Sequence, residues 1–234
     1  MAKVLFVVTG AGHWTLADGT QHPTGFWAEE VVRPYRTFVD AGYEIVVATP
    51  GGVLPPVDPR SLTPEWAGGQ EGAAAMTAEL ASMTALKQPV GIEDVDLADL
   101  GDYTVVFYPG GHGPMEDLST DAASGRLLTA VMDAGQTLAV VCHGPAAFLA
   151  ACRADGDWPF AGYRLTGFSN AEETQLGLAQ KAKWTLQDRL VALGANYTEG
   201  EPWAPHVVVD RNLHTGQNPA SAGPLAVEVL GSLT

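Results

Sequence analysis

The chain has 234 residues and a net charge of -15, with 27 acidic against 12 basic side chains, 46% hydrophobic and 17% charged residues. That composition belongs to a folded globular protein long enough for a sizeable core, and the negative charge argues against nucleic acid or an anionic membrane as partner. Its two cysteines stand at unlike positions and make neither a disulfide framework nor a zinc cluster, so a reducing compartment, the cytoplasm, is expected.

In chain order, the apolar run 3–8 reads as a first strand; it is too short for the core of a signal peptide, and Gly10-Ala11-Gly12-His13 ends it. That turn lacks the spacing of a dinucleotide-binding fingerprint. Residues 27–41 place Val31, Tyr35, Phe38 and Val39 on one helical face, with Gly42 as the stop and Pro34 expected to kink or open the helix. Glu29 and Glu30 fall in its first turn, where an acid ordinarily complements the helix dipole. A second strand follows at 44–48. Pro50, Pro55, Pro56, Pro59 and Pro64 then forbid continuous helix or central strand, which marks a lid or interface within an insertion of about 50–100.

Further strands are expected at 104–108, 138–141, 163–166, 207–209 and 213–215, with helices at 122–134, 146–149, 179–193 and 220–233. Buried strands alternating with helical patterns predict an α/β fold, a mostly parallel sheet covered on both faces, in one domain over 1–234. No segment approaches the roughly 20 apolar residues that span a bilayer.

The most informative residue is Cys142. It ends the strand 138–141 and is followed by His143-Gly144-Pro145, so a lone thiol sits where a buried strand turns into a helix. Gly144 allows a tight turn and Pro145 suits a first helical turn. A thiol near a helix N-terminus is expected to favour the thiolate. Cys152, ten positions on among apolar neighbours, reads instead as a core cysteine.

Ligands in open parallel sheets bind beyond the carboxyl ends of the strands. There stands a second turn, Tyr108-Pro109-Gly110-Gly111-His112-Gly113-Pro114. Gly110 and Gly111 can either form an oxyanion site together with the elbow's amides or serve only as a tight turn, and His112 lies at the same place. His13, His22, His206 and His214 are scattered and read as loop or capping residues, and Asp155-Gly156-Asp157 lacks the remaining ligands of a calcium loop.

Taken together, Thr24-Gly25-Phe26-Trp27-Ala28-Glu29-Glu30-Val31-Val32-Arg33-Pro34, Gly110-Gly111-His112-Gly113, Val141-Cys142-His143-Gly144-Pro145 and Gly216-Gln217-Asn218-Pro219-Ala220-Ser221-Ala222 resemble the DJ-1/PfpI superfamily, nearest to its Hsp31-like glyoxalase III branch. The resemblance covers nearly the whole chain. It implies a flavodoxin-like three-layer αβα sandwich, Cys142 as nucleophile, His143 beside it, and a downstream acid that orients the histidine. That acid is assigned to Glu173, although Glu172 stands where the family often has glycine and leaves the choice open. Glu30 matches the glutamate that hydrogen-bonds the reactive sulfur.

The activity so implied is conversion of methylglyoxal or a related small 2-oxoaldehyde into a 2-hydroxy acid, without cofactor or glutathione, in a homodimer. Some superfamily members bind a metal through two histidines and a carboxylate; His112 matches one ligand, but Phe38 stands where the second histidine would be, so no metal is expected. Pocket walls are expected from Trp14, Phe26, Trp27, His112 and the proline-rich insertion. Amidotransferase chemistry is disfavoured by Val140 before the cysteine and by the lack of a downstream His-x-Glu. Cysteine peptidase, protein deglycase, holdase chaperone and redox-sensing roles stay open as alternatives.

Overall fold

The structure, a computed structural model, describes residues 2–233; Met1 and Thr234, the ends of the expected domain, lie outside it. Strand β1 (Lys3–Val7) is followed by a hairpin of β2 (His13–Thr15) and β3 (Gln21–Pro23), then helix α1 (Ala28–Asp40) and β4 (Glu44–Thr49). The insertion holds α2 (Gly69–Ser82) and β5 (Val90–Gly91). Next come β6 (Tyr103–Tyr108), α3 (Gly113–Glu116), α4 (Ala122–Asp133), β7 (Thr137–Val141), β8 (Arg164–Leu165), α5 (Asn170–Gln175), α6 (Leu186–Ala192), β9 (Asn196–Tyr197), β10 (Val207–Asp210), β11 (Leu213–Gly216) and α7 (Ala222–Ser232).

Seven strands form the central sheet in the order β10-β11-β7-β6-β1-β4-β5. All neighbours run parallel except β10, which is antiparallel to β11. The central strands carry apolar residues on both faces because both are covered: Val4 to Val8, Val105 to Tyr108 and Leu138 to Val141 are all fully buried. α1 and α7 pack together on one side, while α4 packs with the turn Gly144–Ala150. This is the expected flavodoxin-like sandwich. Chain order reverses at β1, with β4 on one side and β6 on the other, so the ends of β1, β6 and β7 open into one crevice.

Several sequence expectations change. α1 runs through Pro34 rather than starting there; the missing proline N–H removes the helical bond to the Glu30 carbonyl. The helix after the elbow is a 3-10 turn, Gly144–Ala150. The expected helix 179–193 shrinks to α6, because Thr185 is extended (ψ 149°) and acts as the N-cap. β8 pairs with β9 in a separate ladder instead of joining the main sheet. α2 escapes the periodicity because no residue of it is fully buried; only Met76 and Leu80 pack against the core, and its alanines add helix propensity.

Cys152 is exposed, not core: the 3-10 turn ends at Ala150, and the thiol points to the Arg153 carbonyl at 3.4 Å. Of the scattered histidines only His206 is in a loop, since His13, His22 and His214 lie in β2, β3 and β11, and His214 is buried. Among the described residues no helix is long and apolar enough to cross a membrane.

Candidate active site

Cys142 adopts φ 59°, a left-handed conformation that strains a non-glycine residue by about 1–3 kcal/mol. The surroundings enforce it. The Cys142 amide donates to the Gly216 carbonyl of β11 at 2.9 Å, and the Phe168 amide donates to the Cys142 carbonyl at 2.8 Å. The motif from Gly216 onward therefore clamps the elbow, and Asn218 locks the clamp by accepting from the Ser221 amide and hydroxyl at 3.1 and 2.8 Å.

The loop after β6 closes over the sulfur. A Cβ on Gly110 would lie 2.6 Å from the His143 amide nitrogen and 2.9 Å from Cys142 Cβ, so only glycine permits this approach. Gly111 has φ 83°, and a Cβ there would meet the Gly25 carbonyl at 2.3 Å. The two glycines then diverge in what they donate to. The Gly110 N–H donates to Glu30 Oε2 at 2.7 Å, so it orients the acid and is not free for an oxyanion. The Gly111 N–H donates toward the Cys142 sulfur.

Glu30 comes from the first turn of α1 and is fully buried. Burial pushes its carboxyl up from 4.5 to about 8, although the Cys142 thiol and the Gly110 amide both hydrogen-bond to it. Its Oε1 has no partner of good geometry, which leaves one oxygen turned to the site. Glu29, by contrast, pairs with Arg33 at 3.4 Å at the surface.

Burial likewise pushes the Cys142 thiol up, and the Glu30 carboxylate adds to the rise. This reverses the expectation that the elbow alone yields a thiolate. A four-residue α3 and a 3-10 turn supply little dipole, while a fully enclosed sulfur loses its hydration.

His143 stands beside the sulfur. Its Nδ1 lies 3.4 Å from Cys142 Sγ, while Nε2 donates to Glu173 Oε2 at 2.7 Å. That network fixes the proton on Nε2 and points the Nδ1 lone pair at the thiol. Burial lowers His143 to about 4, helped by His112 and opposed by Glu173, so the ring is neutral at physiological pH. Phe168 stacks on it at a centroid distance of 4.4 Å.

Glu173 serves two histidines. His112 Nε2 donates to its other oxygen, Oε1, at 2.8 Å. Burial alone would raise this carboxyl, but the two histidines, by charge and by hydrogen bonds, hold it well below the usual carboxylate range. Trp14 stacks on His112 at 4.8 Å from behind. Ligand atoms of His112, His143 and Glu173 lie within 4.8 Å of one another, a grouping able to hold a cation in place of the shared protons. Phe38, eight residues beyond Glu30, is core, and the second histidine of this grouping comes from the elbow.

The choice between Glu172 and Glu173 is resolved by what each touches. Glu172 closes a capping box with Ser169, and its Oε1 accepts from the Trp203 amide and Asn218 Nδ2, each at 2.9 Å. Ser169-x-x-Glu172 was a legible helix-start signature that assigns Glu172 to structure.

Over the sulfur lies a narrow cleft of about 350 Å³, mouth included, walled by Trp27, Trp66, Phe168 and Trp203. The insertion supplies Asp58, Arg60 and Trp66, in line with the expectation that it would form part of the pocket wall. Trp14 and Phe26 do not line it; both are buried behind the site. Trp203 went unnoticed in the sequence because it sits in a loop with no periodic signal, at φ 65°.

Residues 22–159 match the ThiJ/PfpI family-like sequence family. Glyoxalase 3 of Candida albicans is 30% identical over 238 residues, 99% of this chain and 98% of the relative. A crystal structure of glyoxalase III from that organism superimposes with a TM-score of 0.85, covering 99% of this chain and 97% of the other. The protein/nucleic acid deglycase HchA of Staphylococcus aureus is 29% identical over 243 residues, 99% of this chain and 81% of the relative. The Rapid Encystment Protein of Francisella tularensis superimposes with a TM-score of 0.86 at 28% identity over the full length of both chains. With a family match over more than half its length and a full-length relative at this identity, the chain belongs to the ThiJ/PfpI family, within the DJ-1/PfpI superfamily.

Proposed function

We propose that the protein is a glutathione-independent glyoxalase that converts methylglyoxal or a related small 2-oxoaldehyde into a 2-hydroxy acid. One observation carries this reading: a buried carboxyl poised at about 8 shares hydrogen bonding with the nucleophile itself. An acid-base group so close to the sulfur suits chemistry on the carbons adjoining a newly formed C–S bond.

In the mechanism, Cys142 Sγ adds to the aldehyde carbon while its proton passes to His143 Nδ1 and on to the carbonyl oxygen, giving a hemithioacetal. The Gly111 amide, already directed at the sulfur, and the His143 amide would stabilise the developing oxyanion. Glu30 as carboxylate removes the C–H proton of the hemithioacetal carbon as the neighbouring ketone oxygen takes a proton, giving an enediol. Glu30 then returns its proton to that neighbouring carbon while His143 carries the hemithioacetal hydroxyl proton away, replacing the one the ketone oxygen took, which leaves a 2-hydroxy thioester. Water, deprotonated by His143, releases the acid and restores the thiol. Glu173 stays ionised throughout and holds the His143 tautomer.

A second reading, deglycation of adducts that 2-oxoaldehydes form on proteins or nucleic acids, is favoured by the Staphylococcus relatives. The narrowness of the cleft favours the free small substrate instead. The deciding experiment follows lactate formation from methylglyoxal without glutathione, beside Cys142→Ala. Turnover lost in the variant supports the scheme; full activity in the variant, or no lactate with the wild type, refutes it.

A further inference from the structure

Chemistry at the floor of the cleft explains how a 2-oxoaldehyde is processed but leaves one charged group at the mouth without a task. Arg60, in the 3-10 turn Pro59–Leu62, lines the same cleft as Cys142. Its guanidinium lies over the Trp66 ring, 5.5 Å from the centroid. Arg33, Arg36, Arg153 and Arg211 each reach a carboxylate, whereas among the described residues none lies within ion-pair distance of Arg60. The acid beside it, Asp58, is turned inward: Oδ2 accepts from Thr24 Oγ1 and Oδ1 from the Arg60 backbone amide, both at 2.8 Å.

A guanidinium stacked on an indole is held in orientation while its N–H edge stays available, and that edge matches the two oxygens of a carboxylate. A chain of net charge -15 repels anions at long range, so any affinity for one must be built locally. Resting on the glyoxalase reading above, we propose that Arg60 binds an anionic tail and that the preferred substrates are 2-oxoaldehydes bearing a carboxylate remote from the reacting aldehyde. Trp66 and Trp203, 5.4 Å apart between centroids, would flank the intervening carbons.

The test compares two probes built on the same carbon chain, a 2-oxoaldehyde with a terminal carboxylate two methylenes from its ketone and the uncharged primary amide of that compound. Wild-type protein should prefer the acid by about tenfold in kcat/KM, as one charge-assisted hydrogen bond supplies. Arg60→Gln should erase the preference through KM for the acid, and Arg60→Lys should keep part of it. A merely structural role for Arg60 would shift both probes together and leave the ratio unchanged, which overturns the proposal.

A second measurement needs no turnover: the ratio of Cys142 alkylation rates with iodoacetate and iodoacetamide, which should fall severalfold in Arg60→Gln. A falling ratio in a protein that converts no oxoaldehyde keeps the anion site and discards the glyoxalase. An unchanged ratio in an active enzyme discards the site alone.

Discussion

Replacing Glu30 by glutamine separates what this carboxyl does for the reaction from what it does to the fold. In the folded protein burial raises the group from 4.5 to about 8. Between those values the folded state holds a proton that the unfolded chain has lost, so stability falls as pH rises through this window. The penalty is absent below the unfolded value and complete above the folded one. Its full size is about 5 kcal/mol and ~3 kcal/mol of it is felt by pH 7, as orders of magnitude. Glutamine cannot ionise, yet its carbonyl still accepts the Gly110 N–H that Glu30 Oε2 now holds. Glu30→Gln should therefore match the wild type near the acidic end, exceed it in stability at neutral pH, and exceed it further in alkali, while losing turnover. Urea unfolding followed by tryptophan fluorescence, at several values from acid to alkali, gives the comparison. A stability difference that stays constant with pH, or an active variant, would refute the placement of a buried, proton-holding base beside the sulfur.

Three further outcomes follow from the same geometry. The kcat/KM for methylglyoxal should rise with pH to a midpoint near 8 as Glu30 becomes carboxylate, and fall away in acid below about 4 as His143 takes up a proton; a profile flat across the neutral range contradicts both assignments. Gly110→Ala would drive a Cβ to 2.6 Å from the His143 amide nitrogen, and the resulting shift of the elbow should lower kcat by about a hundredfold in a chain whose far-ultraviolet dichroism stays native. Glu172→Ala removes the α5 capping box and the anchor of Trp203 and Asn218, and should lower stability by about 1–3 kcal/mol in thermal unfolding; an unchanged Tm would show that the box carries no weight.

The centre of the sheet was legible because β1, β6 and β7 are buried on both faces, so unbroken apolar runs marked them without help from tertiary context. The strand ends were legible for a related reason: Val141-Cys142-His143 and Tyr108-Pro109-Gly110 break those runs with the residues that turns require. What escaped lies where periodicity is silent. The hairpin β2–β3 has only three residues per strand, and α2 has no buried face to generate a pattern. His112 was placed in the right loop, but that it shares Glu173 with His143 depends on that loop meeting helix α5 across 61 positions of chain. The state of Cys142 was misjudged for the same cause. Local sequence reveals a turn and the start of a helix, whereas enclosure of the sulfur by the loop after β6 and by Glu30 is a long-range property.

Glu30, Glu172 and Glu173 are all buried within this one region, and the same functional group is put to three ends by its hydrogen-bond donors. Glu172 accepts from Ser169, Trp203 and Asn218, none of them titratable in the neutral range, and so holds backbone in place. Glu173 accepts one N–H from each of two imidazoles and is kept ionised, which suits it to fix a tautomer and not to exchange protons. Glu30 is fully buried with only the Gly110 amide and the Cys142 thiol hydrogen-bonded to it; burial outweighs these two donors and it keeps its proton up to about 8. Only the under-satisfied carboxyl can both give and take a proton near neutrality. A second donor to Oε1 would therefore lower the Glu30 pKa toward the ordinary value and slow its exchange of protons, even though the added hydrogen bond stabilised the fold.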